Sequence, residues 1–235
     1  MPDFLILKLE GVMQAWGGHT FEDLRPSHDF PTRSGLVGLL AACLGLNRQD
    51  REEQARLSQS VRFAVRVDHK QLEWEEYGQK QRKILQPIKI TDYHTIREAR
   101  RANRPPKEGE TVQSWREYLY DAAFTVAIGQ TENAPITLEK LHEAMQRPVF
   151  TPFLGRRACP ITRPLLAADV GENGIVSAES LIAALNLVVP QGGRIYSEED
   201  AGNLPKTLIR DVPLWREHRQ FATRQVYIRA SEKPS

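Results

Sequence analysis

Asp92-Tyr93-His94 sits inside the most basic stretch of the chain. A histidine, a tyrosine and a lysine beside a phosphodiester supply the base, acid and charge stabiliser of metal-independent RNA cleavage, and Lys89 offers the third member. The same residues also suit plain binding, with Tyr93 stacked on a base and His94 hydrogen-bonded to backbone or phosphate. Spacing alone does not separate the two. Between Lys80 and Lys107 nine basic residues (Lys80, Arg82, Lys83, Lys89, Arg97, Arg100, Arg101, Arg104, Lys107) stand against two acidic ones, Asp92 and Glu98. That excess focuses a positive potential suited to phosphates, although a solvated basic loop reads the same way. The whole chain carries only +2, so its bulk charge names no partner.

Other residues point to a single-stranded nucleic acid. Trp16, Phe21, Phe30, Tyr93, Trp115 and Phe153 lie beside glycines or basic residues, where a ring can stack on a base or pack in a core. Gly155-Arg156-Arg157 combines a close backbone approach with two guanidinium groups. Thr32-Arg33-Ser34 opens an apolar helix, and the unpaired N–H groups and dipole of a helix start favour an anion. No Walker loop, Rossmann glycine fingerprint, nucleophile elbow or HExxH motif occurs. DVGENGIVSAES, residues 169–180, imitates a calcium loop, but Gly171 and Ser180 stand where ligands are needed. No metal or cofactor is expected. Cys43, in an apolar helix, and Cys159, in a loop, make neither a disulfide framework nor a zinc site.

The elements that must position these residues are legible in part. The 235 residues, 40% hydrophobic and 26% charged, suit one large globular domain or two small ones. No apolar run reaches the length of about 18 that spans a bilayer, and MPDFLILKLEG lacks the features of a signal peptide, so a cytoplasmic protein is expected. FLILKLE reads as a strand ended by Gly11. SGLVGLLAACLGL, residues 34–46, reads as a buried helix whose Gly35, Gly38, Ala42 and Gly45 form a small-residue stripe open to another backbone. EEQARLSQS is a polar helix leading into the strand VRFAVRVD, residues 61–68. Residues 69–84 suggest an edge hairpin, 85–112 a strand-like start followed by an irregular basic excursion, and 114–129 a pair of strands or one long bulged strand. TLEKLHEAMQRP is a helix with Thr137 as N-cap and Pro148 as its stop. After a soft boundary near residue 150 follow a short helix in SAESLIAALN and strands in TLIRDV and FATRQVYIRA. This pattern suggests an α+β, ferredoxin-like unit.

Twelve blocks carry a family resemblance: MQAWG (13–17), TFE (20–22), RP (25–26), FPTRSGLVGLL (30–40), ACLG (42–45), FAVR (63–66), DYHT (92–95), WREYL (115–119), DAAFTVA (121–127), TPFLGRRACP (151–160), IYSEE (195–199) and RQFATR (219–224). In these the chain resembles the CasD family, the Cas5-type subunits of type I-E CRISPR Cascade complexes that hold the 5′ handle of the guide RNA. The resemblance implies a ferredoxin-like (RRM-like) N-terminal domain over 1–149 with a protruding β-hairpin thumb at 79–112, and a small β-rich C-terminal part over 150–235. It implies a non-catalytic role in antiviral defence, with the crRNA 5′ handle and the backbone and large subunits as partners and no membrane. Related subunits of another CRISPR subtype cleave precursor RNA with Tyr, Lys and His, which keeps an endoribonuclease as the alternative. The expected RNA-binding set is Gln14, Trp16, Gly17, Arg25, Arg33, Ser34, Lys89, Tyr93, His94, Arg97, Arg101, Arg116, Arg156 and Arg157. Arg33, Arg156 and Arg157 would meet phosphates, Trp16 and Tyr93 bases or ribose, and the turn at Gly17 and Gly18 would admit the backbone. Residues 68–87 are longer and more charged than the family pattern, and 169–190 carry none of its motifs.

Overall fold

The first strand, β1 (Asp3–Glu10), is buried from Phe4 to Leu9 because its two faces serve two cores. Leu5, Leu7 and Leu9 point into one and Phe4 and Ile6 into the other, the period of two that strand geometry imposes. The structure is a computed structural model that describes residues 1–235 except 19, 21–22, 86, 99–104, 106, 190–192, 201, 216–219 and 231–235. Four two-residue strands follow, β2 (Met13–Gln14), β3 (Trp16–Gly17), β4 (Leu24–Arg25) and β5 (Ser27–His28), then α1 (Arg33–Leu44), α2 (Arg51–Ser60) and β6 (Val61–Asp68). Next come β7 (Lys70–Glu76), β8 (Gln79–Leu85), β9 (Ile88–Arg97), β10 (Thr111–Tyr120), β11 (Ala123–Gln130) and α3 (Leu138–Gln146). The chain closes with β12 (Ile175–Ser177), α4 (Leu181–Asn186), β13 (Ile195–Ser197), β14 (Lys206–Leu214) and β15 (Gln220–Arg229). The result is a mixed, sheet-rich fold with few helices.

The main sheet has the order β12-β1-β11-β6-β13-β15-β14, every neighbouring pair antiparallel. It takes strands from both sides of residue 150. One face packs on α1, Leu57 of α2, and α3; the other packs on α4. α1 is held at its start by Thr32, whose hydroxyl accepts from Gly35 N, and at its end by Gly45 in the left-handed conformation. Its Cys43 lies in the core, where burial pushes the thiol up to about 12. On the other face Lys8, Arg66, Asp68 and Thr125 form a buried polar cluster. Arg66 donates to the carbonyls of Leu185 (2.6 Å) and Val188 (2.8 Å), and so ties the end of α4 and the turn after it to the sheet. Burial lowers the pKa of Lys8, against the pull of Asp68. No described helix is long and apolar enough to cross a membrane.

Several expectations change. The hairpin expected at 69–84 is β7 and β8, but it forms a separate two-stranded sheet rather than an edge of the main one. It turns through Tyr77 and Gly78, both at positive φ, as a tight hairpin of this twist requires. The strand-like start expected in 85–112 is the ten-residue strand β9, paired along its length with β10. Residues 114–129 divide between two sheets, β10 in the smaller and β11 in the main one. The small-residue stripe of α1 meets a second backbone near its end, where Phe150 N donates to Ala42 O (3.0 Å). A Cβ on Gly35 would stand 2.7 Å from the ring of Trp16, one on Gly45 would meet Val149, and Gly38 faces open space.

Candidate nucleic-acid interface

The segment from 13 to 34 is long because it is stitched to the fold at several points. Gln14 pairs with Leu119 of β10, Arg25 pairs with Arg116 of the same strand, and Trp16 pairs with His28 across β3 and β5. Trp16 N donates to Ser27 Oγ (2.9 Å), and Ser27 N donates to Glu117 Oε2 (2.9 Å). The indole of Trp16 is wholly buried at 0% exposure, and its Nε1 donates to Gln14 Oε1 (3.0 Å). Gln14, equally buried, donates in turn to the carbonyls of Leu9 and Ala122. Both residues were expected to face RNA; in the fold they build the floor on which the segment rests. His28 is neighboured by Asp211, Lys89, Asp29 and Arg224, and burial, the largest cause, lowers its pKa.

The loop at 151–160 is joined to this segment. Ala15 N donates to Leu154 O (3.1 Å), and Gly155, at φ +86, lies so close that a Cβ there would be 1.8 Å from Ala15 O. The close approach expected at Gly155 is therefore to the protein's own backbone. It leaves Arg156 next to β10, where Nη1 donates to Glu117 O (3.1 Å), Nη2 donates to Arg25 O (2.9 Å), and the guanidinium lies 4.7 Å from the centroid of the Tyr118 ring.

Together the two segments border a groove of about 530 Å³, lined by Gly17, Gly18, Thr20, Arg25, Pro26, Thr32, Ser34, Gly155 and Arg156, over Ala15, Trp16 and Gly35. Arg210, Gln220 and Phe221 of β14 and β15 complete it. Three arginines and no carboxylate occur among its described lining residues. Gly17, Arg25, Ser34 and Arg156 were expected here. Arg210, Gln220 and Phe221 were not, although Gln220 and Phe221 fall in the RQFATR block of the family resemblance.

The helix start differs from expectation. The N–H of Arg33 is already met by an anion, the carboxylate of Asp211 (2.7 Å). The Arg33 side chain turns inward, paired with Glu198, donating to the carbonyls of Ser58 and Val61 and lying over the ring of Phe63. Its guanidinium is thus used within the protein. Phe30 is also internal, stacked on Tyr196 at 3.9 Å.

The ribbon of β9 and β10 carries the remaining candidates on two faces. Tyr93, 49% exposed, meets Trp115, 44% exposed, edge to face at 5.4 Å. Arg97 is exposed and pairs with Glu98 (3.4 Å). Lys89 donates to Ser27 O (2.8 Å) and pairs with Asp29. His94 is bonded to Asp92 Oδ2 (2.8 Å) and lies 3.3 Å from the Tyr118 hydroxyl. Consecutive residues of a strand point to opposite faces, so Tyr93 and His94 do not converge on one phosphodiester. Arg116 donates to Ser114 Oγ (3.0 Å), and Arg157 is exposed beside the groove's Arg156. Arg101 and Phe21 lie outside the described residues. Among the described residues no group of His, Cys, Asp or Glu is placed to hold a metal, and Asp169 of the calcium-like loop pairs with Arg163 (3.7 Å).

Residues 4–227 match the family model described as CRISPR-associated protein (Cas_Cas5). The CRISPR system Cascade subunit CasD of Escherichia coli (strain K12) is 45% identical over 229 residues, 97% of this chain and 96% of its own length. Among solved structures, a chain of a CRISPR RNA-guided surveillance complex superposes with a TM-score of 0.70 at 26% identity, covering 99% of this chain and 91% of its own. A second, a crystal structure of a Cas protein, gives 0.60 at 26% identity, covering 99% of this chain and 100% of its own.

Proposed function

Because the chain belongs to the Cas5 family of CRISPR-associated proteins, we propose that it is the subunit of a type I-E Cascade complex that holds the 5′ handle of the guide RNA without cleaving it. It would act in the cytoplasm, in contact with the backbone and large subunits of the complex. The observation that carries this reading is the groove, whose described lining residues include three arginines and no carboxylate and so suit a polyanion. Its volume suits one or two nucleotides rather than a duplex, and glycines at 17 and 18 let a ribose-phosphate chain lie close. Tyr93 and Trp115 on the outer ribbon offer stacking faces to the bases that leave the groove. The divergent orientations of Tyr93 and His94 favour binding over cleavage.

We read the first 149 residues as ferredoxin-like, or RRM-like. The supporting pattern is β1, α1, β6, β11 and α3 in chain order, with β1-β11-β6 adjacent in the sheet; the fourth strand of such a unit, β12 beside β1, is supplied from beyond residue 149. On this reading residues 79–112, which include β9, form the thumb, and 150–235 form the β-rich part that widens the sheet.

The test is a titration of the full chain with single-stranded handle RNA across a salt series in EDTA. About four neutralised phosphates, at the three groove arginines and at Arg157 beside them, give a slope of log affinity against log salt near −3, at about −0.7 each. Arg156→Gln with Arg157→Gln should weaken binding by about tenfold or more and bring the slope about 1.4 closer to zero. The RNA should be recovered intact. A wild-type slope near zero would sink the groove reading, and a defined cut lost in His94→Ala would replace it with the endoribonuclease.

A further inference from the structure

The third wall of the groove comes from the far end of the chain, and a break in strand register sets its geometry. β14 runs in step with β15 as far as Arg210 opposite Thr223, and pairing resumes at Val212 opposite Ala222. Asp211 is the extra residue. A bulge of this kind bends a strand and re-aims the side chains around it. Asp211 points inward, 2% exposed, and accepts from Arg33 N (2.7 Å), Arg224 Nε (2.6 Å) and Arg224 Nη2 (2.8 Å). The bulge is therefore pinned to the first turn of α1. Arg210, the next residue back, is exposed and lines the groove, with its Nε fixed to Phe221 O (2.9 Å) across the hairpin.

We propose that Arg210 is a third phosphate-binding arginine of the groove, supplied by the β14–β15 hairpin, and that Asp211 is the positioning residue that aims it. The ligand class is the phosphodiester backbone of a single-stranded RNA, so the proposal rests on the reading of the groove as an RNA site. Three observations converge on it. Arg25, Arg156 and Arg210 come from three distant parts of the chain yet line one cavity, with no carboxylate among its described lining residues. A guanidinium tied at Nε keeps a fixed plane, the arrangement that gives an arginine directional contact with phosphate oxygens. The Asp211 carboxylate, next in sequence to Arg210, has its charge taken by Arg224 and the start of α1, so it does not compete for Arg210.

The same handle RNA titration decides it. Arg210→Gln should weaken binding about tenfold and bring the salt slope about 0.7 closer to zero, with an unchanged melting temperature, because Arg210 is exposed. Asp211→Asn should lower the melting temperature, and it should also shift the salt slope, which a purely structural role would not move. In the double variant the two effects on binding should not add, since both act through one guanidinium. Wild-type affinity and slope in Arg210→Gln, with binding lost in Arg156→Gln and Arg157→Gln, would overturn this proposal and leave the groove reading standing. Wild-type binding in all of these variants would remove both. Additive effects of Arg210→Gln and Asp211→Asn would remove the positioning role of Asp211.

Discussion

The segment at 13–34 and the β9–β10 ribbon carry the same mixture of aromatic, basic and hydrogen-bonding residues, and the fold uses them in opposite ways. In the first, Trp16 and Phe30 are buried, and Arg33 is spent on Glu198 and two carbonyls. In the second, Tyr93, Trp115 and Arg97 face outward. Partnering explains the difference. The 13–34 segment lies against β10, α1 and the 151–160 loop, so its side chains have apolar surface to bury against. Among the described residues β9 pairs only with β10, and nearly all its residues remain exposed. A glycine beside an aromatic thus has two meanings. Gly35 is the place where the ring of Trp16 fits, whereas Gly17 is exposed at a groove.

The largest effect expected from this contrast is on stability. Trp16→Ala removes a fully buried ring and leaves Gln14 without a partner for its side-chain oxygen, which should cost about 4 kcal/mol. For a chain of this size that lowers the melting temperature by about 8 to 16 °C. A melting temperature within a degree or two of wild type would mean that Trp16 is not part of the core. Gly155→Ala comes next. At φ +86, with Ala15 O 1.8 Å from the new Cβ, it should cost about 3 kcal/mol and separate the two loops. Thermal melting should therefore fall by about 6 to 12 °C and RNA binding should weaken with it. An alanine variant that melts and binds as wild type would show that the two loops need not touch for the groove to form.

Local periodicity carried the parts of the fold whose partners are close or generic. β1, β6, the start of α1 at Thr32 and the cap of α3 at Thr137 follow from a run of apolar residues or one hydroxyl. β9 is legible only at its start, because Asp92 and His94 interrupt the stripe that Ile88, Ile90 and Ile96 form on the same face. The helix start was legible as an anion site, but the anion itself was not, since Asp211 lies 178 positions away in sequence. Arg33 was misjudged for the same reason: Glu198 is 165 positions distant. The groove's third wall depends on a bulge whose position is set by bonds to α1 and Arg224, and such tertiary bonds leave no mark on neighbouring residues.

The smallest effect sharpens the contrast most, because it should appear in binding and not in stability. Tyr93 and Trp115 meet edge to face on an exposed ribbon, and trimming Tyr93→Ala removes little buried area, so the melting temperature should stay within about 2 °C of wild type. Stacking of an aromatic on a base contributes about 1 to 3 kcal/mol, so affinity for handle RNA should fall about tenfold. The salt slope should not move, since a stacked base displaces no counterions. That separates the ribbon from the groove, where loss of an arginine changes affinity and slope together. If Tyr93→Ala binds as tightly as wild type, the outward-facing aromatics are not a platform for this RNA, and the groove alone must account for its capture. If instead the slope shifts with the affinity, the substitution has disturbed a charged contact, and Arg97 on the same face of β9 becomes the residue to replace.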